Sequence, residues 1–198
     1  GKNFLLYISP NNGFIDNYIF LYGVYESYML DTIAMYLKPK MTLVDIGANI
    51  GQHSMYAASI VGKEGAVYSY EPIPYISKQL TESVHANHFE STVHVHTSAL
   101  GSKDSVETLY VSKNVGGSSL VNDEDGTQEE IRVVVKKGDD ELRDIVKIDM
   151  VKIDVEGYEY EVLSGLQETL TKHTPIILVE FSADFYTKNT DKHGEKIL

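Results

Sequence analysis

The segment Val44-Asp45-Ile46-Gly47-Ala48-Asn49-Ile50-Gly51 joins a short apolar run to a helical one through a turn with two glycines. Glycine lets a backbone bend through left-handed conformations and come close to a ligand. The helix that follows aims its free N–H groups at that ligand. The spacing is G-x-x-x-G with an aspartate ahead of it, not the G-x-G-x-x-G of a dinucleotide fingerprint. An acidic residue just before the turn suits a ligand with a cationic amino group rather than a pyrophosphate. Glu71 stands twenty residues past Gly51, at the end of a second apolar run, where a carboxylate can accept both hydroxyls of a ribose. Together these residues describe a site for a nucleoside with a positive tail, and S-adenosylmethionine fits that description better than NAD.

The elements that must position these groups follow from periodicity. Thr42 to Ile46 is predicted as a buried strand, Gly51 to Val61 as a helix, Ala66 to Tyr70 as a second strand and Ile76 to Asn87 as an amphipathic helix. Ser91 to Ser98 is a third strand. Val106 to Val111 and Ile131 to Val135 are two more, joined by a polar loop. Val151 to Val155 is a strand, Glu159 to Leu170 a helix, and Pro175 to Phe181 a strand again. Repeated β-α-β units specify an α/β fold, a doubly wound and mostly parallel sheet with its ligand at the carboxyl ends of the strands. Ahead of it, Tyr22 to Lys38 reads as one helix, so residues 1–40 are expected to form a helical flank or lid and residues 41–198 the core of one domain.

Composition narrows the class. The chain has 198 residues, Lys+Arg 17 against Asp+Glu 29, a net charge of -12, and no cysteine or tryptophan. The absence of cysteine excludes a disulfide scaffold, a thiolate nucleophile and a Cys-ligated zinc. The acidic balance, with Arg132 and Arg143 the only arginines, argues against a nucleic-acid partner. No apolar run reaches membrane-spanning length and no signal peptide opens the chain, so a cytoplasmic setting is expected. The first residue is Gly, and the chain stops about 17 residues after its last clear strand. Both features suggest a domain of a longer polypeptide whose C-terminal hairpin is short or missing.

The blocks DIGANIGQHSMYAA, YEPIP, MVKIDVEGYEYEVLSGL and ILVEF, in this order and spacing, resemble the FkbM family of S-adenosylmethionine-dependent methyltransferases. The resemblance covers roughly residues 22 to 181. It implies a class I (Rossmann-like) methyltransferase sheet and methyl transfer to a hydroxyl, commonly of a sugar, with deoxyhexoses among typical acceptors. It also implies that Asp45, Gly47, Ala48, Asn49, Ile50 and Gly51 hold the methionine part of the cofactor and Glu71 the ribose, with Ser98 and Ala99 beside the adenine. Gly117-Ser118-Ser119-Leu120 resembles a family loop near the reaction centre. Fusion to glycosyltransferase domains in a longer chain would suit such an enzyme. The alternatives are an NAD(P)-dependent oxidoreductase on a similar sheet, or a non-catalytic domain that keeps only the fold.

A hydroxyl nucleophile must lose a proton, and a placed general base contributes ~10²–10⁴-fold. Asp154 emerges at a strand end beside the glycine turn, where it can meet the sulfonium tail or the acceptor hydroxyl. Lys152 shares its strand face. Glu156 opens the next helix, as a base or simply as a carboxylate at a positive helix end. His53 lies in the first turn of the helix after the glycine loop, whose dipole should keep it neutral and fit to act as a base. Asp154, Glu156 and Glu180 could together bind Mg²⁺, though no spacing demands it and no metal is expected. His94 and His96 share one strand face, expected to be exposed. Asp123-Glu124-Asp125-Gly126 fails the calcium-loop pattern at Val121 and Arg132. Tyr7, Tyr18, Tyr22, Tyr25, Tyr28 and Tyr36 crowd the N-terminal region, as a platform for a carbohydrate or as helix packing.

Overall fold

The alternation of apolar strands and amphipathic helices yields two sheets. The computed structural model describes residues 3–9, 13–112, 118–119 and 128–181. Two helices, α1 (Phe14–Tyr22) and α2 (Ser27–Tyr36), precede β1 (Thr42–Ile46), α3 (Gln52–Val61), β2 (Ala66–Tyr70), α4 (Pro74–Asn87) and β3 (Val93–His96). Then come β4 (Ala99–Gly101), β5 (Ser105–Ser112), β6 (Ser118–Ser119), β7 (Gln128–Lys137) and the short α5 (Gly138–Glu141). The described chain closes with β8 (Met150–Ile153), α6 (Glu159–Gly165), α7 (Gln167–His173) and β9 (Ile176–Val179). No helix among the described residues is long and apolar enough to cross a membrane.

The main sheet runs β3-β2-β1-β8-β9, and all its strands are parallel. Strand β1 sits at its centre, with Leu43 opposite Val67 of β2 on one side and Met150 of β8 on the other. Chain order reverses around β1, and there the carboxyl ends of neighbouring strands part to leave a crevice. Both faces of the sheet are covered around β1 and β8, as parallel strands require, while Ile176, Ile177 and Val179 of the edge strand β9 stay exposed. Leu43, Val67 and Met150 pack on one face with Ile33 of α2, Met55 of α3 and Leu80 of α4. Val44, Ile46 and Val151 pack on the other with Leu142, Val162 and Leu166. The second sheet, β4-β7-β5-β6, is built on a long antiparallel pairing from Ser105–Val135 to Ser112–Gln128. Its Leu109 and Val133 pack on Ile73 at the start of α4.

Several expected elements are divided. The helix predicted over Tyr22 to Lys38 is the shorter α2, which starts only after Gly23 and Glu26, both in the left-handed region (φ 84 and φ 48), and α1 ahead of it was not expected. The strand predicted from Ser91 to Ser98 ends at His96, and the chain then enters the second sheet at Ala99. The helix predicted from Glu159 to Leu170 breaks at Leu166, where Gly165 lies tight against the backbone of Gly101. Helix α4 starts two residues early, with Pro74 at its first turn, a position where the missing N–H costs nothing. The central region is less purely parallel than repeated β-α-β units imply, since β5 and β7 pair antiparallel. The expectation of a short or missing C-terminal hairpin concerns residues beyond Phe181, and the Asp123–Gly126 loop lies within 120–127. Both are outside the described residues.

Candidate active site

The glycine turn is built from its backbone outward. Gly47 N–H and Ala48 N–H both donate to the carbonyl of Tyr70, at 3.0 Å each, which ties the turn to the end of β2. Gly47 adopts φ 79, and a Cβ there would stand 1.8 Å from the carbonyl oxygen of Asp154. Its missing side chain therefore makes room for the neighbouring strand end. Gly51 adopts φ 90 just ahead of α3, and a Cβ there would meet Leu80 at 2.8 Å. Its role is to seat α3 against α4. Asn49 is left-handed as well (φ 50), and its side-chain oxygen accepts from Ile50 N–H at 2.8 Å.

Under the turn lies a buried charge cluster. Lys152, only 1% exposed, donates to the carbonyl of Gly47 at 2.9 Å and pairs with Asp154 at 3.1 Å and Asp45 at 3.3 Å. Burial alone would lower its pKa, but the carboxylates of Asp154 and Asp45 outweigh that and hold it well above the usual lysine range. Asp45 also accepts from the Ser54 hydroxyl at 2.6 Å, and Ser54 meets Ser69 of β2 at 2.8 Å. Asp45 is fully buried. It braces the turn from below and is not among the residues that line the cavity described next.

A cavity of about 290 Å³ opens at the carboxyl ends of β1, β2 and β8, where Gly47, Glu71 and Asp154 converge on it. Phe14 and Tyr25 wall it from the N-terminal segment, Leu109 from the second sheet, and Tyr158 from the segment after β8. Glu71 accepts backbone N–H bonds from Asn49 at 3.0 Å and Ile73 at 2.9 Å. Burial still raises its pKa to about 7, against the lowering effect of those two bonds. Glu26, Glu156 and Glu180 line the same cavity. One oxygen each from Glu26, Asp154 and Glu180 lie within 4.8 Å of one another. Burial, then Asp154, raises the pKa of Glu26 and of Glu156 and carries that of Glu180 to about 7. Three residues on this wall, Glu26, Asn49 and Glu156, carry left-handed backbone without being glycine.

The structure thus brings Gly47, Asn49, Glu71, Ala99, Asp154 and Glu156 to one cavity. Ala48, Ile50 and His53 line a smaller space of about 30 Å³ beside it, shared with Glu26, Lys152 and Asp154. His53 is buried with its Nε2 unpartnered. Its pKa falls to about 4, with burial first among the causes and Lys152 next, rather than the helix dipole. Ser98 is buried outside the cavity lining. His94 and His96 stack on Tyr68 and Tyr70 with ring centroids 4.9 and 4.5 Å apart. His94 stays exposed, but His96 is half covered. Phe14, Tyr18, Tyr22 and Tyr25 form one ring cluster, of which Phe14 and Tyr25 reach the cavity. The loop 117–120 falls largely outside the described residues. Sequence reasoning missed Glu26, and it saw Lys152 only as a neighbour of Asp154. A lone lysine inside an apolar parallel strand was the available signal, because such a charge must be paired.

Comparison with known proteins agrees with this geometry. Residues 45–197 match the family model of the methyltransferase FkbM domain. Methyltransferase 1 of Beauveria bassiana is 26% identical over 172 residues, covering 75% of this chain and 68% of the relative. Hexuronic acid methyltransferase AglP of Haloferax volcanii is 30% identical over 155 residues, 76% of this chain, which spans 59% of that relative. Among solved structures, a putative rRNA-methylase from Clostridium thermocellum matches with TM-score 0.55 at 15% identity, over 85% of this chain and 76% of that one. An S-adenosylmethionine-dependent O-methyltransferase from Thermotoga maritima matches with TM-score 0.51 at 14% identity, over 91% and 55%. At these identities the structural likeness is one of fold, the class I methyltransferase sheet. With sheet order, glycine turn and strand-end carboxylates all agreeing with the sequence match, the chain belongs to the FkbM methyltransferase family.

Proposed function

We propose that this chain is an S-adenosylmethionine-dependent O-methyltransferase whose acceptor is a sugar hydroxyl. The observation that carries the reading is the convergence of the Gly47 turn, Glu71 and Asp154 on one cavity walled by aromatic rings. The residues fit the cofactor. Glu71 presents a buried carboxylate whose second lone pairs are open to two vicinal hydroxyls, beyond the backbone bonds from Asn49 and Ile73. The turn from Gly47 to Gly51 would hold the methionine part, and Ala99 and Leu100 would lie against the base. Bound there, S-adenosylmethionine supplies an electrophilic methyl group for in-line displacement by an oxygen.

The chain's own groups do the rest. Asp154 engages Lys152 through Oδ2, which leaves Oδ1 to accept the acceptor's proton. Glu156, its pKa raised by burial and by Asp154, is the second proton acceptor on the same wall. His53 is neutral at pH 7, as a base must be, but its low basicity and its place beside the smaller space put it behind the carboxylates. Phe14, Tyr25 and Tyr158 exclude water and offer ring faces to a sugar. No metal is needed for these roles.

Calorimetric titration tests the reading. Micromolar binding of S-adenosylmethionine with no binding of NADH is expected, followed by transfer of labelled methyl to sugars. Asp154→Asn should bind cofactor and lose most turnover. NADH binding without S-adenosylmethionine binding would return the oxidoreductase alternative.

A further inference from the structure

Resting on that reading, we infer that the acceptor is an uncharged or cationic sugar, and that Glu26 and Glu180 exclude hexuronates and sugar phosphates from this cavity. Three elements converge to supply the carboxylates: Glu26 from the N-cap of α2, Asp154 from the end of β8, and Glu180 from the end of β9. Their nearest oxygens all lie within 4.8 Å of one another. One oxygen of Glu26 and one of Glu180 are buried with no hydrogen-bond partner. The carboxylates that line the cavity accept hydrogen bonds from hydroxyl or ammonium donors, which neutral and amino sugars carry. A carboxylate or phosphate brings acceptors and a like charge instead.

Among the described residues, Lys152 offsets that charge from behind the cavity wall, opposing the rise in pKa of both Glu26 and Glu180. No Lys or Arg lines the larger cavity. Lys152, in the smaller space, is already committed to Gly47, Asp45 and Asp154. Burial first and Asp154 next raise the pKa of Glu26 and carry that of Glu180 to about 7, so the wall's opposition to anions grows as pH rises above neutral. The relative AglP is named for a hexuronic acid. That acceptor carries the charge this wall opposes, so membership of one family does not carry the acceptor across.

The test presents the protein with a mixed set of neutral, amino and hexuronate oligosaccharides and radiolabelled S-adenosylmethionine, and the products are separated by ion exchange. Label should enter neutral or amino products at least roughly 100-fold faster than hexuronate products, the scale of one like-charge contact in a partly buried site. Glu26→Gln/Glu180→Gln should narrow that ratio at least about tenfold while still binding S-adenosylmethionine. Preferential labelling of hexuronates would overturn the proposal and leave the methyltransferase reading intact. So would hexuronate labelling that needs added Mg²⁺ and vanishes with chelator, since the three carboxylates would then be holding a cation. Cofactor binding with no labelled sugar in any fraction would overturn the sugar reading and this proposal with it.

Discussion

Replacing Lys152 by methionine keeps the apolar stem and deletes the ammonium. That ammonium donates to the Gly47 carbonyl at 2.9 Å and forms ion pairs with Asp154 at 3.1 Å and Asp45 at 3.3 Å. Removing one partner of a buried ion pair costs about 3–5 kcal/mol, because the charge left behind is neither solvated nor compensated. Asp45, fully buried, would be left in that state. In a domain of this size 1 kcal/mol is about 2–4 °C of Tm, so the variant should melt roughly 6–20 °C lower. Urea unfolding followed by circular dichroism should show an earlier midpoint at unchanged slope. The pH dependence separates lost charge from lost packing. Without the ammonium, burial favours a protonated carboxyl at position 45, so the folded variant binds more protons than the unfolded chain. Its stability then rises as pH falls, and the gap to the wild type narrows. Asp45→Asn added to Lys152→Met should recover part of the loss at neutral pH. A loss below ~1 kcal/mol, or a gap that does not change with pH, would refute the reasoning.

Two further outcomes follow from the same geometry. Glu71, at about pKa 7, must be ionised to accept two hydroxyls. Affinity for S-adenosylmethionine should therefore be full above pH 7 and fall by up to about tenfold per unit below it. Glu71→Gln should bind about 10–150-fold more weakly with that slope gone, and a pH-independent wild type in calorimetry would remove Glu71 from the site. Gly51→Ala should cost about 1–3 kcal/mol through its backbone conformation and its clash with Leu80. Leu80→Ala in that background should cost less than it does alone, by ~1 kcal/mol in a double-mutant cycle, whereas additive effects would place the strain elsewhere.

The legible parts of this chain were those written locally. The apolar strand, the glycines and the carboxylate at the following strand end lie within one β-α-β unit, so spacing alone brings Gly47 and Glu71 together. Asp154 was legible for the same reason, as a strand end beside β1. Glu26 was not, because its place depends on the left-handed break after Gly23 that folds the N-terminal segment back over the cavity. Asp45 was legible as important but its partner was not. Alternation shows that Lys152 and Asp154 share a face, yet only the strand register sets Lys152 beside Asp45. Glu180 was correctly placed with Asp154, but the third carboxylate of that cluster is Glu26, not Glu156. The helix break at Leu166 comes from the close approach of Gly165 to Gly101, a tertiary contact that helical periodicity does not encode, whereas the stop at Gly23 is a local left-handed glycine cap.

The left-handed backbone of Glu26, Asn49 and Glu156 has an evolutionary consequence. Each conformation would be cheaper with glycine, and a search for thermostable variants would be drawn to these positions first. At Glu26 and Glu156 glycine would delete a carboxylate from the cavity wall, and at Asn49 a side chain that caps the turn. Selection for stability and selection for function therefore pull against each other at the same few residues, and variants hardened there should keep the fold while losing turnover at Glu156 or acceptor selectivity at Glu26.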